Sequence, residues 1–580
     1  MSQNSNPEET CVVYTLPISR HFGVRFVDTI TSLIEESCRK FEDSTAFFRK
    51  KDGKWQGTSY GTLRETSDRI VAGLAGSGFQ TGDHAALLAS SSFKWVTAYL
   101  GILKAGGVVV PIDKELKEIE VRHILSHSEA RALFVEGDRL DMVLGMAAEL
   151  TELRLIVLIP TAEETPPDSR GASQCTILPF DGLLQKAGRS PALRRPDDTA
   201  LILYTSGTTG RSKGVMLSHA NIVSNIHHAT AHLGVDQSIH TLSFLPINHI
   251  FEQVCSILLP LSLGGKVSFC ESLKKLGENL AEVKPTFFVG VPAVYRMILG
   301  RIMKKIEDEP LSRLLFSFSA TRPLIVSKVL RRLGSGTIFI SGGAALDPAV
   351  AAGFARLGVT LIQGYGITET SPVVAAESWK GMRPGSVGRV LAGIEVRIDA
   401  PNGEMVGEIL VRGPNVMQGY FKDPQATSET IVDGWYRTGD LGRLDGEGFL
   451  FICGRVKSLI VTPNGKNIYP EEVENEILKS PYIAEVLVYA HKNGPVAEEI
   501  RAVARPDQEA LDELAAKQGR APLSSAEVES LIRREISSAC EKLAPYKRVK
   551  SITIRHEEFP KTTTRKIKRF ELEALMSATS

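Results

Sequence analysis

The stretch that most constrains this chain is Tyr204-Thr-Ser-Gly-Thr-Thr-Gly-Arg-Ser-Lys-Gly-Val215, set directly behind the apolar run Thr199-Ala-Leu-Ile-Leu203. The run reads as a strand, and the glycines and small hydroxyls behind it read as a loop. Gly207, Gly210 and Gly214 let backbone N–H groups turn inward. Thr205, Ser206, Thr208 and Thr209 add hydroxyl donors, and Arg211 and Lys213 bring positive charge. Together these suit a polyphosphate. A Walker loop counted on from Gly207 needs Gly at 212, and Ser212 breaks that pattern. A solvated Gly/Ser/Thr turn is the plain alternative, but ordinary turns rarely combine so many small donors with two cations.

Six further motifs come in order: Leu245-Pro-Ile-Asn-His249, Ser341-Gly-Gly-Ala-Ala345, Gln363-Gly-Tyr-Gly-Ile-Thr-Glu369, Tyr436-Arg-Thr-Gly-Asp440, Gly454-Arg-Val-Lys457 and Pro560-Lys-Thr-Thr-Thr-Arg-Lys566. With the phosphate loop they resemble the adenylate-forming superfamily of acyl-CoA synthetases, luciferases and peptide-synthetase adenylation domains. The resemblance spans roughly Phe26 to the end of the chain, and the form His249-Ile-Phe-Glu252 is similar to that of long-chain acyl-CoA synthetases.

At 580 residues the chain is too long for one core, so two or more domains are expected. Helical patterns alternate with short apolar runs, among them Ala85–Leu88, Gly107–Val110, Leu155–Leu158, Thr286–Val289, Thr337–Ile340 and Thr360–Ile362. That is the signature of α/β layering, and ligands in such sheets collect outside the carboxyl ends of the strands. Thr161 to Ser190 reads as surface excursion and linker. From Gly385 to Asp440 short strands with tight turns suggest a β subdomain, and after Gly454 a second unit begins, with a helix opening at Pro470. The expected architecture is α/β: a 1–25 extension, a large domain over 26–454 of layered α/β sheets plus the β subdomain, and a small mobile α+β domain over 455–580.

Net charge is +1, which excludes a grossly basic nucleic-acid binder. No apolar run reaches the roughly 18 residues of a membrane span, since Pro260 and Gly264 interrupt the best candidate. The polar, acidic N-terminus lacks the form of a signal peptide, and seven scattered cysteines read as reduced thiols. The cytoplasm is the expected compartment. The basic run Lys547-Arg-Val-Lys550 with Lys566, Lys568 and Arg569 offers a surface for CoA phosphates, or for peripheral contact at the inner membrane, or is simply a solvated face.

The resemblance implies ATP, Mg²⁺ and CoA as reactants and cofactor, with a fatty acid as the activated acid. It implies phosphate contacts from Thr205 to Gly210 and Lys213. Glu369 becomes a Mg²⁺ carboxylate with Thr205 beside it, Thr368 an α-phosphate donor, and Tyr365, between Gly364 and Gly366, a flat surface for adenine. Gly342, Gly343 and Ala344 line the adenine and acyl site, Asp440 accepts from the ribose hydroxyls, and Arg455 donates to the nucleotide. His249 sits near the acyl carboxylate or is a satisfied core histidine. Lys566 is the adenylation lysine, Lys457 and Ser458 form the hinge, and Gly465 and Lys466 belong to a thiolation loop that leaves room for a pantetheine arm. Two positions depart from the family: Ser458 stands where Asp is usual, and Arg565 where Gly is. An acyl-carrier protein in place of CoA, and a non-catalytic sensor on the same scaffold, are the rival readings.

Overall fold

In a computed structural model, residues 13–15, 29–160, 175–188, 194–205, 212–379, 381–462, 466–492, 497–561 and 567–578 are described. The chain divides into two compact units, one of Val13–Val396 and Val411–Arg437, the other of Met1–Val12, Arg397–Leu410 and Thr438–Ser580.

In the first unit, runs of Val, Ile, Leu and Phe bounded by turn residues build two large sheets. One has eight strands in the order Gly419–Tyr420, Lys213–Ser218, Thr199–Thr205, Val108–Pro111, His84–Leu88, Ala130–Glu136, Leu155–Ile159, Thr176–Pro179. From Thr199–Thr205 to Thr176–Pro179 its strands are parallel, and Ala85 to Leu88 and Val108 to Val110 are buried along their length, as a sheet covered on both faces requires. The helices Tyr60–Ala75 and Phe93–Lys104 pack on one another beside it, and each starts on a serine, Ser59 and Ser92, whose hydroxyl accepts a first-turn N–H.

The other sheet has nine strands, ordered Arg389–Val390, Val373–Ala376, Thr360–Gly366, Ile338–Ser341, Phe287–Gly290, His240–Ser243, Lys266–Phe269, Thr45–Lys51, Lys54–Ser59. Ile338–Ser341 and Thr360–Gly366 are parallel neighbours with Ser341 opposite Gln363. The Ser341-Gly-Gly and Gln363-Gly-Tyr-Gly motifs therefore leave the same end of the sheet.

The expectation of a linker over Thr161 to Ser190 needs correction. Residues 161–174 and 189–193 lie outside the described residues, but Thr176–Pro179 is an edge strand of the eight-stranded sheet. Phe180 and Leu183, three apart in the short helix after it, are 2% and 0% exposed. Gly73 makes room for them: a Cβ there would stand 2.4 Å from the Leu183 carbonyl oxygen. The surrounding Pro, Ser and Glu composition concealed this apolar pair.

The second unit holds a three-stranded sheet in which Ile483–Lys492 pairs antiparallel with Ala497–Pro506, and Ser551–Ile554 runs parallel to the latter. Side chains alternate across it. Val486, Val488, Ala502 and Ala504 join Val473, Ile477, Ile532 and Ile536 of the helices Pro470–Ile477 and Ser525–Glu541 in one core. Leu487 and Val503, on the opposite face, meet Phe559 and Leu572.

No helix among the described residues is long and apolar enough to cross a membrane. Six cysteines are described, all free thiols, and burial pushes those of Cys38 and Cys255 up to about 12, which keeps them unreactive.

Candidate active site

The strand Thr199–Thr205 forms as its sequence suggests, and the element beyond the expected phosphate loop is a second strand. Lys213–Ser218 returns antiparallel, with Lys213 opposite Thr205 and Gly214 opposite Tyr204. Ser206, Gly207, Thr208, Thr209 and Gly210 lie outside the described residues. The two feet of the loop are described, and both are braced by one helix, Glu118–His127. His127 Nδ1 lies 2.7 Å from Tyr204 Oη, and His123 Nε2 donates to the Ser212 carbonyl at 3.3 Å. Burial first, then the charges of His123 and Lys422, hold His127 below its ordinary range, so it braces the loop as a neutral ring. Sequence reasoning passed over this pair, whose one signal is the i, i+4 spacing that sets both rings on one helix face.

A short relay connects this hairpin to Glu369. Tyr420 sits opposite Val215, with Lys213 Nζ 5.0 Å from its ring centre and Asp423 3.7 Å from the same ammonium. Tyr436 donates to the Tyr420 hydroxyl, which in turn donates to Glu369 Oε1 at 3.3 Å. Burial, and next the Glu369 charge, raise the ionisation of both phenols, so each remains a donor. The backbone of Glu369 is fixed as well, its carbonyl accepting from Met417 N–H at 2.9 Å. Glu369 is half-buried in the single 3₁₀ turn Thr368–Thr370, directly after the strand carrying Gly364, Tyr365 and Gly366. Gly366 is obligatory in this turn, because a Cβ would lie 1.7 Å from the Pro372 carbonyl oxygen. Lys213 and Glu369, far apart in sequence, thus both meet Tyr420, whose hydroxyl Tyr436 supports. Tyr420 lies in a two-residue strand that no sequence pattern announces.

Gly342 of the Ser341-Gly-Gly turn packs under the ring of Phe251, which a Cβ would approach to 2.7 Å; Gly343 has φ +81, and Gly343 and Ala344 are exposed. His249 and Phe251 lead into Glu252–Leu258, which runs as a π-helix before Leu259–Leu263 resumes α geometry. Pro260 lacks the N–H that an α-helix would aim at the Ser256 carbonyl, and the Thr241 hydroxyl donates there at 2.7 Å. Glu252 is fully buried inside this wide turn. Its carboxyl accepts from Ser243 Oγ at 2.5 Å, from Ser256 Oγ at 2.7 Å and from the N–H groups of Phe244 and Leu245. Desolvation outweighs these donors and raises the group from 4.5 to about 7.

A raised carboxyl costs stability as it ionises. The folded protein is least burdened below the unfolded value of 4.5 and loses stability as pH climbs toward about 7, by roughly 3 kcal/mol in all. We expect the melting temperature of the wild type, relative to Glu252→Gln, to fall as pH rises from 5 to 7.5 (about the window those two values set). Parallel melting curves for the two proteins would contradict this.

In the second unit Asp440–Leu444 of the strand Trp435–Leu444 pairs antiparallel with Leu450–Arg455, with Asp440 opposite Arg455. Asp440 is 6% exposed, and Arg455 Nε donates to its Oδ1 at 2.6 Å. The carboxylate and the guanidinium expected on the nucleotide are therefore direct partners. Thr438 steadies the turn before them: its hydroxyl donates to the Ile409 carbonyl at 2.7 Å and accepts from Asp440 N–H at 3.1 Å. Lys457 and Ser458 lie in the 3₁₀ turn Val456–Ser458. The expected thiolation loop closes the two-residue strands Ile460–Val461 and Asn467–Ile468. Lys466 is exposed there, its N–H donating to Thr462 Oγ1 at 2.9 Å, and Gly465 lies outside the described residues.

Lys566 also lies outside the described residues, but both feet of its segment are pinned. Lys561 pairs with Glu485, a carboxylate that also takes Arg505 Nε at 2.7 Å and Phe559 N–H at 3.1 Å. On the far side, Arg569 pairs with Glu474 and lies 3.4 Å from Glu471, while Glu474 accepts from Val488 N–H at 2.7 Å. An isolated bridge joins Lys561 to Ile567. The sequence offered Arg569 as part of a basic run for CoA phosphates, a membrane surface or plain solvent, whereas the structure commits it to an ion pair with Glu474.

Residues 34–421 match the family described as AMP-binding enzyme. The long-chain-fatty-acid–CoA ligase FadD15 of Mycobacterium bovis is 31% identical over 501 residues, covering 80% of this chain and 81% of its own. Among solved structures, ATP-bound MatB from Rhodopseudomonas palustris superposes with a TM-score of 0.75 at 26% identity, over 95% of this chain and 99% of its own. The anthranilate CoA ligase AuaEII in complex with anthranoyl-AMP reaches a TM-score of 0.77 at 23% identity, over 96% and 99%, and shares the fold.

Proposed function

Because the chain belongs to the AMP-binding enzyme family and is an AMP-forming acid–thiol ligase, we propose that its acid is a long-chain fatty acid, activated in two steps. In the first, a carboxylate oxygen attacks the α-phosphorus of ATP and pyrophosphate leaves. In the second, the CoA thiolate attacks the acyl carbonyl carbon and AMP leaves. The observation that carries the long-chain reading is the likeness to FadD15 across four-fifths of the chain, which the His249-Ile-Phe-Glu252 segment supports.

Residues 26–454 form the large domain of this reading and 455–580 the small one. Lys213 and the donors of Thr205 to Gly210 neutralise the departing pyrophosphate. Thr368 donates to the α-phosphate, Tyr365 offers its ring to adenine, and Gly342, Gly343 and Ala344 let the nucleotide and acyl group approach the backbone closely. Asp440 accepts from the ribose hydroxyls, Arg455 donates beside it, and His249 lies near the acyl carboxylate. Glu369 suits Mg²⁺, since its carboxylate is half-buried and oriented by Tyr420, and Thr205 would add its hydroxyl from the foot of the hairpin. Among the described residues no cluster of three or more metal-ligating side chains occurs, and Mg²⁺ held with ATP needs only one or two carboxylates. The ion would draw charge from the phosphates. Lys566 serves the first step and the Thr462–Asn467 loop the second, with Lys457 and Ser458 as hinge.

Purified protein given ATP, Mg²⁺ and acetate, octanoate, palmitate, oleate or benzoate, with either CoA or a holo-acyl-carrier protein, tests this through AMP release and the mass of the thioester. We expect palmitoyl- and oleoyl-CoA to dominate. Benzoate or acetate outrunning both long chains would overturn the substrate, and a thioester on the carrier alone would overturn CoA as acceptor.

A further inference from the structure

The helices Pro310–Ser317 and Arg322–Leu333 carry a face that none of the residues assigned to the ligase reaction use. On the first, Ser312 and Phe316, four apart, turn inward at 8% and 5% exposure. Leu311, Leu314 and Phe318 do the opposite and stand 67%, 56% and 60% exposed, and Leu324, at the start of the second helix, is 64% exposed. Single exposed leucines are common, but four large apolar side chains within fourteen residues, three on two helices packed against each other and Phe318 just past the end of the first, make a patch.

Its charge is one-sided. Residues 310–332 contain Arg313, Arg322, Lys328, Arg331 and Arg332 and no Asp or Glu. Arg322 is committed inward, donating to the Phe316 carbonyl at 3.1 Å and stacking on that ring. Arg313, Lys328, Arg331 and Arg332 are exposed. The nearest acids in sequence are Glu307, Asp308 and Glu309, which close the preceding helix; Glu309 accepts from Ser312 Oγ at 2.7 Å and lies 3.6 Å from Lys328 Nζ. Behind them Arg301, Lys304 and Lys305 extend the cationic margin.

We propose that this face docks on an anionic lipid bilayer. Leu311, Leu314, Phe318 and Leu324 enter the boundary between headgroups and acyl chains, while Arg313, Lys328, Arg331 and Arg332 meet lipid phosphates. Short amphipathic helices with Leu and Phe on one side and Lys and Arg around them bind such surfaces, and residues 310–332, whose five cations face only one nearby carboxylate in Glu309 on Lys328, are complementary to a negative sheet of charge. The surface is separate from the basic C-terminal run, and the proposal does not depend on which acid the enzyme activates.

The test is co-sedimentation of the full-length protein with vesicles of phosphatidylcholine, with and without phosphatidylglycerol, at low and high salt. We expect binding only with phosphatidylglycerol, weakened by salt, and reduced about tenfold or more by Leu314→Glu with Phe318→Glu and by Arg331→Glu with Arg332→Glu. All four positions are solvent-facing, so melting temperature and acyl-CoA formation from detergent-dispersed fatty acid should not move. Leu314→Ser is a milder second variant that should bind at an intermediate level. Wild-type protein that ignores these vesicles would overturn the proposal. So would variants that bind as the wild type does, loss of binding only on Lys547→Glu with Lys550→Glu, or a dimer that the Leu314 and Phe318 changes dissociate while vesicle binding persists.

Discussion

Lys566→Ala is expected to lower acyl-AMP formation by roughly a thousandfold while leaving conversion of supplied acyl-AMP to acyl-CoA near the wild-type rate. The first step brings a carboxylate against a triphosphate, and a mobile point charge on the reacting oxygens offsets that repulsion. The second step attacks a carbonyl whose leaving group is already in place and has no such need. Neighbouring lysines are poor substitutes, because Lys561 is committed to Glu485 and Lys568 Nζ lies 2.9 Å from Glu571. Lys561 and Arg569, described residues on either side of Lys566, are both held by carboxylates. Pyrophosphate exchange measures the first half-reaction and thioester formation from synthetic acyl-AMP the second. Equal loss in both would refute the division of labour.

Glu369→Gln should lower the overall rate by roughly 100- to 1,000-fold and shift the Mg²⁺ dependence to higher concentration. Glutamine keeps the length of the side chain and can still accept from Tyr420, so the substitution isolates the charge. Tyr420→Phe, which removes the orienting hydroxyl and leaves the carboxylate, should cost far less. Titration of Mg²⁺ against pyrophosphate exchange distinguishes these effects, and a Glu369→Gln enzyme with an unchanged Mg²⁺ midpoint would remove Glu369 from the metal.

The linear pattern was most informative where chemistry needs particular residue types. Gly342 and Gly343 read as a close-approach turn, and the strands at 84–88, 108–111, 155–159 and 338–341 were legible from apolar runs with Gly or Pro nearby. The helix at Pro470 was legible from its proline and the two acids behind it. Features that depend on two distant segments meeting escaped. Tyr420, His123 and His127 are ordinary residues in sequence and gain their roles only because one strand pairing and one helix bring them to the phosphate hairpin and Glu369. Glu252 was read as part of a motif without a task, since burial inside a π-turn cannot be seen in a string of letters. The basic C-terminal run misled in a different way: charge pattern shows how many cations there are, not that Arg569 already has carboxylate partners.

The antiparallel return of Lys213–Ser218 has an electrostatic corollary. A phosphate loop that opens a helix borrows the fixed dipole of aligned peptide groups, which ionic strength reaches poorly. Here the next helix, His219–Leu233, starts only after six strand residues, a separation of about 20 Å. In the proposed reading the grip on ATP would come from loop N–H groups, hydroxyls and cations rather than from a helix end, and Debye screening dims the cationic part more readily than a buried dipole.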